Sequence, residues 1–125
     1  MASDAEMCAA VFTWLTGTTV TTQAIDGTPL RWPLYWRVRG IGCFVPIPDY
    51  ANDEAASAAL LDTLEAERGD SEWPVWSIRI IRELDWWEVE LHTWNTEKRP
   101  YTHARQHDPD RKRAILCAAY EASKP

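Results

Sequence analysis

Lysine and histidine are scarce in this chain, with three of each among 125 residues. Basic charge therefore rests on ten arginines, and 13 basic residues face 19 acidic ones for a formal charge of −6. A chain of that sign is repelled by a phosphate backbone, so no nucleic-acid polymer is expected as a partner. Long hydrophobic runs are missing: none reaches the roughly 18 apolar residues of a membrane span, so no membrane partner is expected either. The start, Met1-Ala2-Ser3-Asp4-Ala5-Glu6, carries acidic charges first and no basic stretch. It does not read as a secretory signal, and the chain is expected to stay in the cytosol. Cys8, Cys43 and Cys117 are odd in number and lack a Cys-x-x-Cys pair; three buried thiols in a reducing compartment are expected. With five glycines there is no Gly-rich phosphate cradle and no Gly-x-Ser-x-Gly nucleophile turn. The length fits a single domain, 1–125.

Against these absences stands an excess of tryptophan: Trp14, Trp32, Trp36, Trp73, Trp76, Trp86, Trp87 and Trp94. Eight exceed what a core of this size needs. The Trp content and the bias of arginine over lysine would also fit a GC-rich genome.

Residues 3–16 are expected to form a helix, capped by Ser3 or Asp4 and stopped by Gly17, with Met7, Val11, Trp14 and Leu15 at helical spacing. A second is expected over 52–68, with Asn52 as cap, Ala56, Ala59, Leu60 and Leu64 on one face, and Gly69 beyond its end. A third is expected over 108–123, with Asp108 as cap, Pro109 at the first helical position, and Ile115, Ala118, Ala119 and Ala122 as its apolar stripe. Two strands, 75–82 and 86–93, flank a Glu83-Leu84-Asp85 turn, so that Arg79 and Arg82 can face Glu88 and Glu90. A further strand fits 99–105, with Tyr101 and His103 on one side. Residues 17–49 are less regular. Residues 18–23 are β-branched, Asp26-Gly27-Thr28-Pro29 signals a turn, and Pro33, Pro46 and Pro48 interrupt long elements, although 34–38 and 41–45 can each be extended. A long, partly ordered excursion rich in Trp and Arg is expected there, of a kind that often carries function. Amphipathic helices must bury their stripes, so the expected fold is α+β, a three-layer α/β/α sandwich around a small antiparallel sheet.

Four patches share an order and spacing: Tyr50-Ala51-Asn52-Asp53 opening an Ala-rich helix, Ala55-Ala56 with residues 60–64, Trp87-Glu88-Val89-Glu90-Leu91 after a hairpin, and Ala114-Ile115-Leu116-Cys117-Ala118-Ala119 in the last helix. Together they resemble the phage ABA-sandwich domain family, small proteins of phages and prophages with a helix–sheet–helix layering. The resemblance spans residues 46–122. Residues 17–45 are longer than the family pattern and read as an insertion-like region. The resemblance implies the layered fold and a phage setting, and it brings no catalytic residue, cofactor or ligand with it.

Several constellations bear on chemistry. His103 and His107 are four apart, with Asp108 and Asp110 following, a spacing that could hold a metal on a helix. This segment reads as a strand end and a turn, so surface histidines are expected and no metal. Asp85, Glu88 and Glu90 near Trp86 could form an acid–base pair, but alternating surface charge explains them equally. Arg111, Lys112 and Arg113 oppose the dipole of the last helix; a bound anion would relieve that, and so would Asp108 and Asp110. No catalysis and no cofactor are expected.

Aromatic and cationic side chains also cluster. Trp32, Tyr35 and Trp36 lie among Arg31, Arg37 and Arg39, and Trp94 is followed by Arg99, Tyr101 and His103. Trp and Arg together stack planar rings and pair phosphates. The expected ligand-binding residues are Trp32, Tyr35, Trp36, Arg37, Arg39, Trp94, Arg99, Tyr101 and His103. On an acidic chain they point to a small anionic aromatic ligand, nucleotide-derived, rather than a polymer. The expected function is a non-enzymatic phage binding protein that sequesters such a molecule, for instance a bacterial anti-phage defence signal, in the host cytosol. The alternative is a protein–protein interaction module that inhibits or redirects a host enzyme with the same aromatics as hot spots. A homo-oligomer interface is a further use for them.

Overall fold

A computed structural model describes residues 2–38, 40–65, 77–94 and 100–124, with side chains except at 77, 93, 94 and 100–103. Helix α1 (Asp4–Thr16) starts where the Ser3 hydroxyl accepts the Glu6 N–H, and it ends at Gly17, whose φ of 70° is the left-handed conformation glycine tolerates best. Strands β1 (Val20–Gln23), β2 (Pro29–Arg37) and β3 (Cys43–Pro46) form one antiparallel sheet in that order. Helix α2 (Glu54–Glu65) follows. Strands β4 (Ser77–Arg82), β5 (Trp87–Trp94) and β6 (Pro100–Asp108) form a second antiparallel sheet, and α3 (Arg111–Ser123) closes the chain. The class is mixed α+β, with two small sheets where one was expected.

The second sheet comes from residues 17–49, expected as a partly ordered excursion. Asp26 and Gly27 do turn the chain: the Asp26 carboxylate accepts the Thr28 N–H, and Gly27 sits at φ 84°. Proline obscured the rest. Pro33 lies inside β2, the central strand, where a missing N–H should break the ladder. It is tolerated because the register slips there. Pairing passes from Thr21–Leu34 to Gln23–Pro29, so β1 advances two residues while β2 advances five. Pro33 falls within that bulge, and its carbonyl still accepts the Ile47 N–H.

Caps account for small shifts in the helices. Asp53, not Asn52, caps α2 by accepting the Ala55 N–H, while Asp49 takes the N–H groups of Ala51 and Asn52. Asp110, not Asp108, caps α3 by accepting the N–H groups of Lys112 and Arg113. Strand β6 runs on to Asp108, whose carboxylate accepts the Asp110 N–H.

Helix α3 occupies the middle of the molecule. Ala114, Ile115, Leu116, Ala118, Ala119 and Ala122 are buried, and the helix packs on β5, β6, α1 and α2. Its small side chains permit close approach to the buried Val89, Leu91 and Ala104 of the second sheet. Met7, Cys8, Val11, Phe12 and Leu15 of α1 and Leu60 and Leu64 of α2 complete the core. Cys8 is fully buried, and burial pushes its thiol up to about 11. Cys117 is half-buried, with its thiol raised by burial as well. Cys43 is exposed on β3, so the expectation of three buried thiols fails at that position.

The other face of the second sheet is charged. Arg79 stands opposite Glu90 in register and Arg82 opposite Trp87, yet among the described residues the arginine that pairs with Glu88 and Glu90 is Arg105 of the other neighbour, β6. Arg105 reaches Glu90 at 2.7 Å and Glu88 at 3.6 Å, and the His92 ring meets Glu90 at 2.9 Å. Glu90 is 3% exposed. Burial alone would raise its pKa, but the hydrogen bond from His92, the charge of Arg105, the charge of His92 and the Arg105 hydrogen bond together hold it below the ordinary value of 4.5.

A depressed carboxyl pKa stabilises the fold above the unfolded value, and the contribution is lost as pH falls through the folded value. Urea unfolding is therefore expected to show a loss of stability as pH drops below 4.5, and Glu90→Gln should flatten that loss while lowering stability at pH 7 by about 1–3 kcal/mol. The Ser57 hydroxyl in α2 is buried with no hydrogen-bond partner among the described residues. Ser57→Ala is expected to leave stability unchanged or raise it by about 1 kcal/mol in the same assay, since it removes an unsatisfied polar group.

Candidate functional site

An antiparallel sheet that packs one face on a core usually turns polar side chains outward on the other. The first sheet departs from this. On its inner face Pro33 is buried and the Tyr35 ring lies 4.8 Å from that of Phe12 in α1. Leu34 and Trp36 alternate with them and leave from the opposite face. Trp36 pairs with Phe44 of β3 in register, and their rings meet edge to face at 4.9 Å and 73°. The indole also lies against Gly42, where a Cβ would run into the ring. Here glycine is required by close approach.

Leu34 and Phe44, with Leu30, Thr21, Gln23, Ala24, Ile25 and Asp26, line a hollow of about 730 Å³. The hollow sits where the β1–β2 register slips, because a bulge bends the strand and re-aims its side chains. Trp36 is 50% exposed and Phe44 48%. Ile25 at the β1–β2 tip, and Val38 and Ile41 in the β2–β3 connection, are more exposed still. Five of the seven large apolar side chains exposed among the described residues thus belong to this sheet and its connections, so the apolar surface is concentrated. Asp26 is the only ionisable group in the hollow lining, and Thr28 hydrogen bonds hold its carboxyl below the ordinary range.

Of the residues expected to bind a ligand, Trp32, Tyr35, Trp36 and Arg37 have described side chains, and they do not gather at one place. Trp32 packs on the core and donates its indole N–H to the Ile47 carbonyl at 2.9 Å, a structural role. Tyr35 packs on Phe12 beneath the sheet. Trp36 is on the outer face, and Arg37 follows it, exposed, with its side chain leaving from the opposite face. Trp94 ends β5 opposite Pro100, and Tyr101 pairs with Thr93. Pairing then passes from His92–Thr102 to Leu91–Ala104, which makes His103 the extra residue of a bulge. The side chains of Trp94, Tyr101 and His103, and all of Arg39 and Arg99, lie outside the described residues. Trp73 and Trp76 lie outside them too. Ile25, Leu30, Leu34 and Phe44 were missed as site residues. Leu30 and Leu34 had a signal in the sequence, a strand segment with apolar residues on both faces, whereas Phe44 is marked only by its register opposite Trp36.

The cations at the start of α3 are already matched. Lys112 pairs with Glu54 at 3.3 Å and lies 3.8 Å from Asp110, while Arg113 pairs with Asp4 and, at 3.3 Å, with Asp108. Arg111 lies over Trp87, as does Arg82. Local carboxylates therefore offset the helix dipole, as one of the two readings of this turn required. Among the described residues no three His, Cys, Asp or Glu side chains gather to hold a metal ion, and no helix is long and apolar enough to cross a membrane. Comparison with protein-family models, with curated proteins and with solved structures matches nothing to this chain.

Gly42→Ala is expected to push the Trp36 indole off its seat and shift its fluorescence emission to the red. Stability should change by less than about 1 kcal/mol, because both residues lie at the surface. The emission difference should vanish in a Trp36→Phe background; a difference that persists would place the affected tryptophan elsewhere.

Proposed function

We propose that this chain is a non-enzymatic binding protein, a protein–protein interaction module that docks its partner on the outer face of the first sheet. The observation that carries this reading is the concentration of exposed apolar side chains in this sheet and its connections, with Trp36 and Phe44 meeting on the outer face. Contiguous exposed apolar surface marks interaction sites, and large aromatics in it supply most of the binding energy. The setting implied by the resemblance to the phage ABA-sandwich family makes the partner a host protein whose action the module inhibits or redirects.

Sequestration of a nucleotide-derived molecule is the second reading. It is favoured by the hollow, whose volume of about 730 Å³ falls within the range of roughly 300–1,000 Å³ typical of small-molecule sites. The half-open Trp36 ring adds a surface on which a base could stack. The hollow lining offers no cation to a phosphate, however, and its one carboxylate repels an anion. The apolar docking face is therefore placed first.

Two measurements separate the readings. Affinity capture from bacterial lysate is expected to retain a protein on the native chain and lose it on Phe44→Asp, with melting curves showing that both are folded. The second is melting and Trp fluorescence against NAD, ADP-ribose, cyclic ADP-ribose isomers and cyclic di- and trinucleotides. A ligand at about a hundred times its Kd adds roughly 2.7 kcal/mol, a readily seen shift. A saturable shift with one compound returned intact, together with capture that Phe44→Asp does not affect, would reverse the order of the two readings. Consumption of the compound would overturn both in favour of an enzyme.

A further inference from the structure

We infer that the segment docked on the first sheet is an apolar polypeptide with a basic residue in it: a large apolar side chain fills the hollow, and a lysine or arginine beside it pairs with Asp26. This rests on the reading of that sheet as a docking face and names the chemistry of its occupant.

The charge at the hollow is of one sign. Its lining, with Trp36 beside it, includes no Lys, Arg or His, and Asp26 is the one ionisable group. Arg31 and Arg37 each follow a residue of the outer face, Leu30 and Trp36, so strand alternation sends them to the opposite face. Asp26 is held in position. Its Oδ1 accepts the Thr28 N–H at 3.0 Å. The turn around it is closed by the Ala24 N–H on the Thr28 carbonyl at 2.8 Å and the Gly27 N–H on the Ala24 carbonyl at 2.9 Å. The hydrogen bonds with Thr28 also lower the carboxyl pKa, so the group is ionised at neutral pH. A cation that reaches the hollow therefore meets an oriented counter-charge. The formal charge of −6 on the whole chain favours the approach of the same sign of partner.

The apolar surface narrows the choice of cation. It runs from Ile25 at the β1–β2 tip, past Leu34, Phe44 and Trp36, to Val38 and Ile41 beyond the far end of β2. The nine residues of β2 separate those ends, a span of about 30 Å at the rise of an extended strand. One small amine does not cover that length, and an extended peptide does. A second copy of this chain is disfavoured: each copy carries −6, and the hollow of the facing sheet would offer Asp26 no cation. A basic residue beside an apolar anchor meets both requirements, with the ion pair setting register and the anchor supplying affinity.

The test uses three labelled peptides of equal length, with identical Leu and Phe positions and a single Lys, Gln or Glu beside the Phe. Fluorescence anisotropy is read with the full chain and with three variants shown by melting curves to be folded. Asp26→Asn keeps a carbonyl oxygen for the Thr28 N–H, Asp26→Lys reverses the charge, and Phe44→Asn alters the hollow without adding charge. The Lys peptide is expected to bind saturably and about two- to fivefold more tightly than the Gln peptide, the range one exposed ion pair provides, with the Glu peptide weakest. Asp26→Asn should equalise the Lys and Gln peptides without weakening the Gln peptide. Asp26→Lys should put the Glu peptide first, and Phe44→Asn should abolish binding of all three. A Lys preference that survives Asp26→Asn would overturn the proposal, because the charge being read would then lie elsewhere on the chain. Equal binding of the three peptides, or tighter binding of the Glu peptide, lost in Phe44→Asn, would overturn the basic partner and leave the docking face standing. Failure of all three peptides would also overturn it, with the docking face then judged by the capture measurement alone. A dimer in sedimentation that Phe44→Asn dissolves would replace the peptide with a second copy of the chain.

Discussion

The burial of α3 is the constraint on which the rest of the structure depends. Its Ala-rich surface is enclosed by β5 and β6 on one side and by α1 and α2 on others. A helix packed on several sides has room only for small residues at its closest approaches, and Ala114, Ala118, Ala119 and Ala122 supply them. Its first turn ties the neighbours in place, with Arg113 reaching Asp4 of α1 and Lys112 reaching Glu54 of α2. The three cations that look unfavourable at a helix N-terminus serve as attachment points.

The second sheet rests on α3 with its apolar face and keeps its charged face organised around Glu90. The first sheet is placed differently. It reaches the core through α1, where Phe12 meets Tyr35, and through Trp32, tied to the Ile47 carbonyl. The Tyr35 contact uses its inner face, while Trp36 and Phe44 on the outer face stay about half exposed. The bulge that accommodates Pro33 adds the hollow to that face. A strand that admits proline and a hollow on the outer face thus have one local cause.

Much of this was legible in the sequence where local and global preferences agreed. Helical spacing and caps marked α1 and α3 to within a few residues, and the start of α2 likewise, while the alternation of Ile78, Ile80, Val89 and Leu91 marked the β4–β5 hairpin. The first sheet was hidden because its cues conflict: three prolines fall within its strands, and apolar residues occupy both of its faces, which removes the period of two. The same conflict concealed the site. Trp32 and Tyr35 share composition with Trp36, and composition does not say which ring carries a hydrogen bond to Ile47, which meets Phe12 and which stays open. Phe44 was overlooked because nothing local marks it; only the register opposite Trp36 does.

The most direct measurement is titration of the native chain with the apolar dye ANS, beside Phe44→Asp, with both proteins shown by their melting curves to be folded. The native chain is expected to bind the dye saturably well below its melting range, and Phe44→Asp is expected to lose that binding. A native chain that takes up no dye until it unfolds, or a variant that binds it equally well, would contradict the assignment of the first sheet's outer face as the working surface.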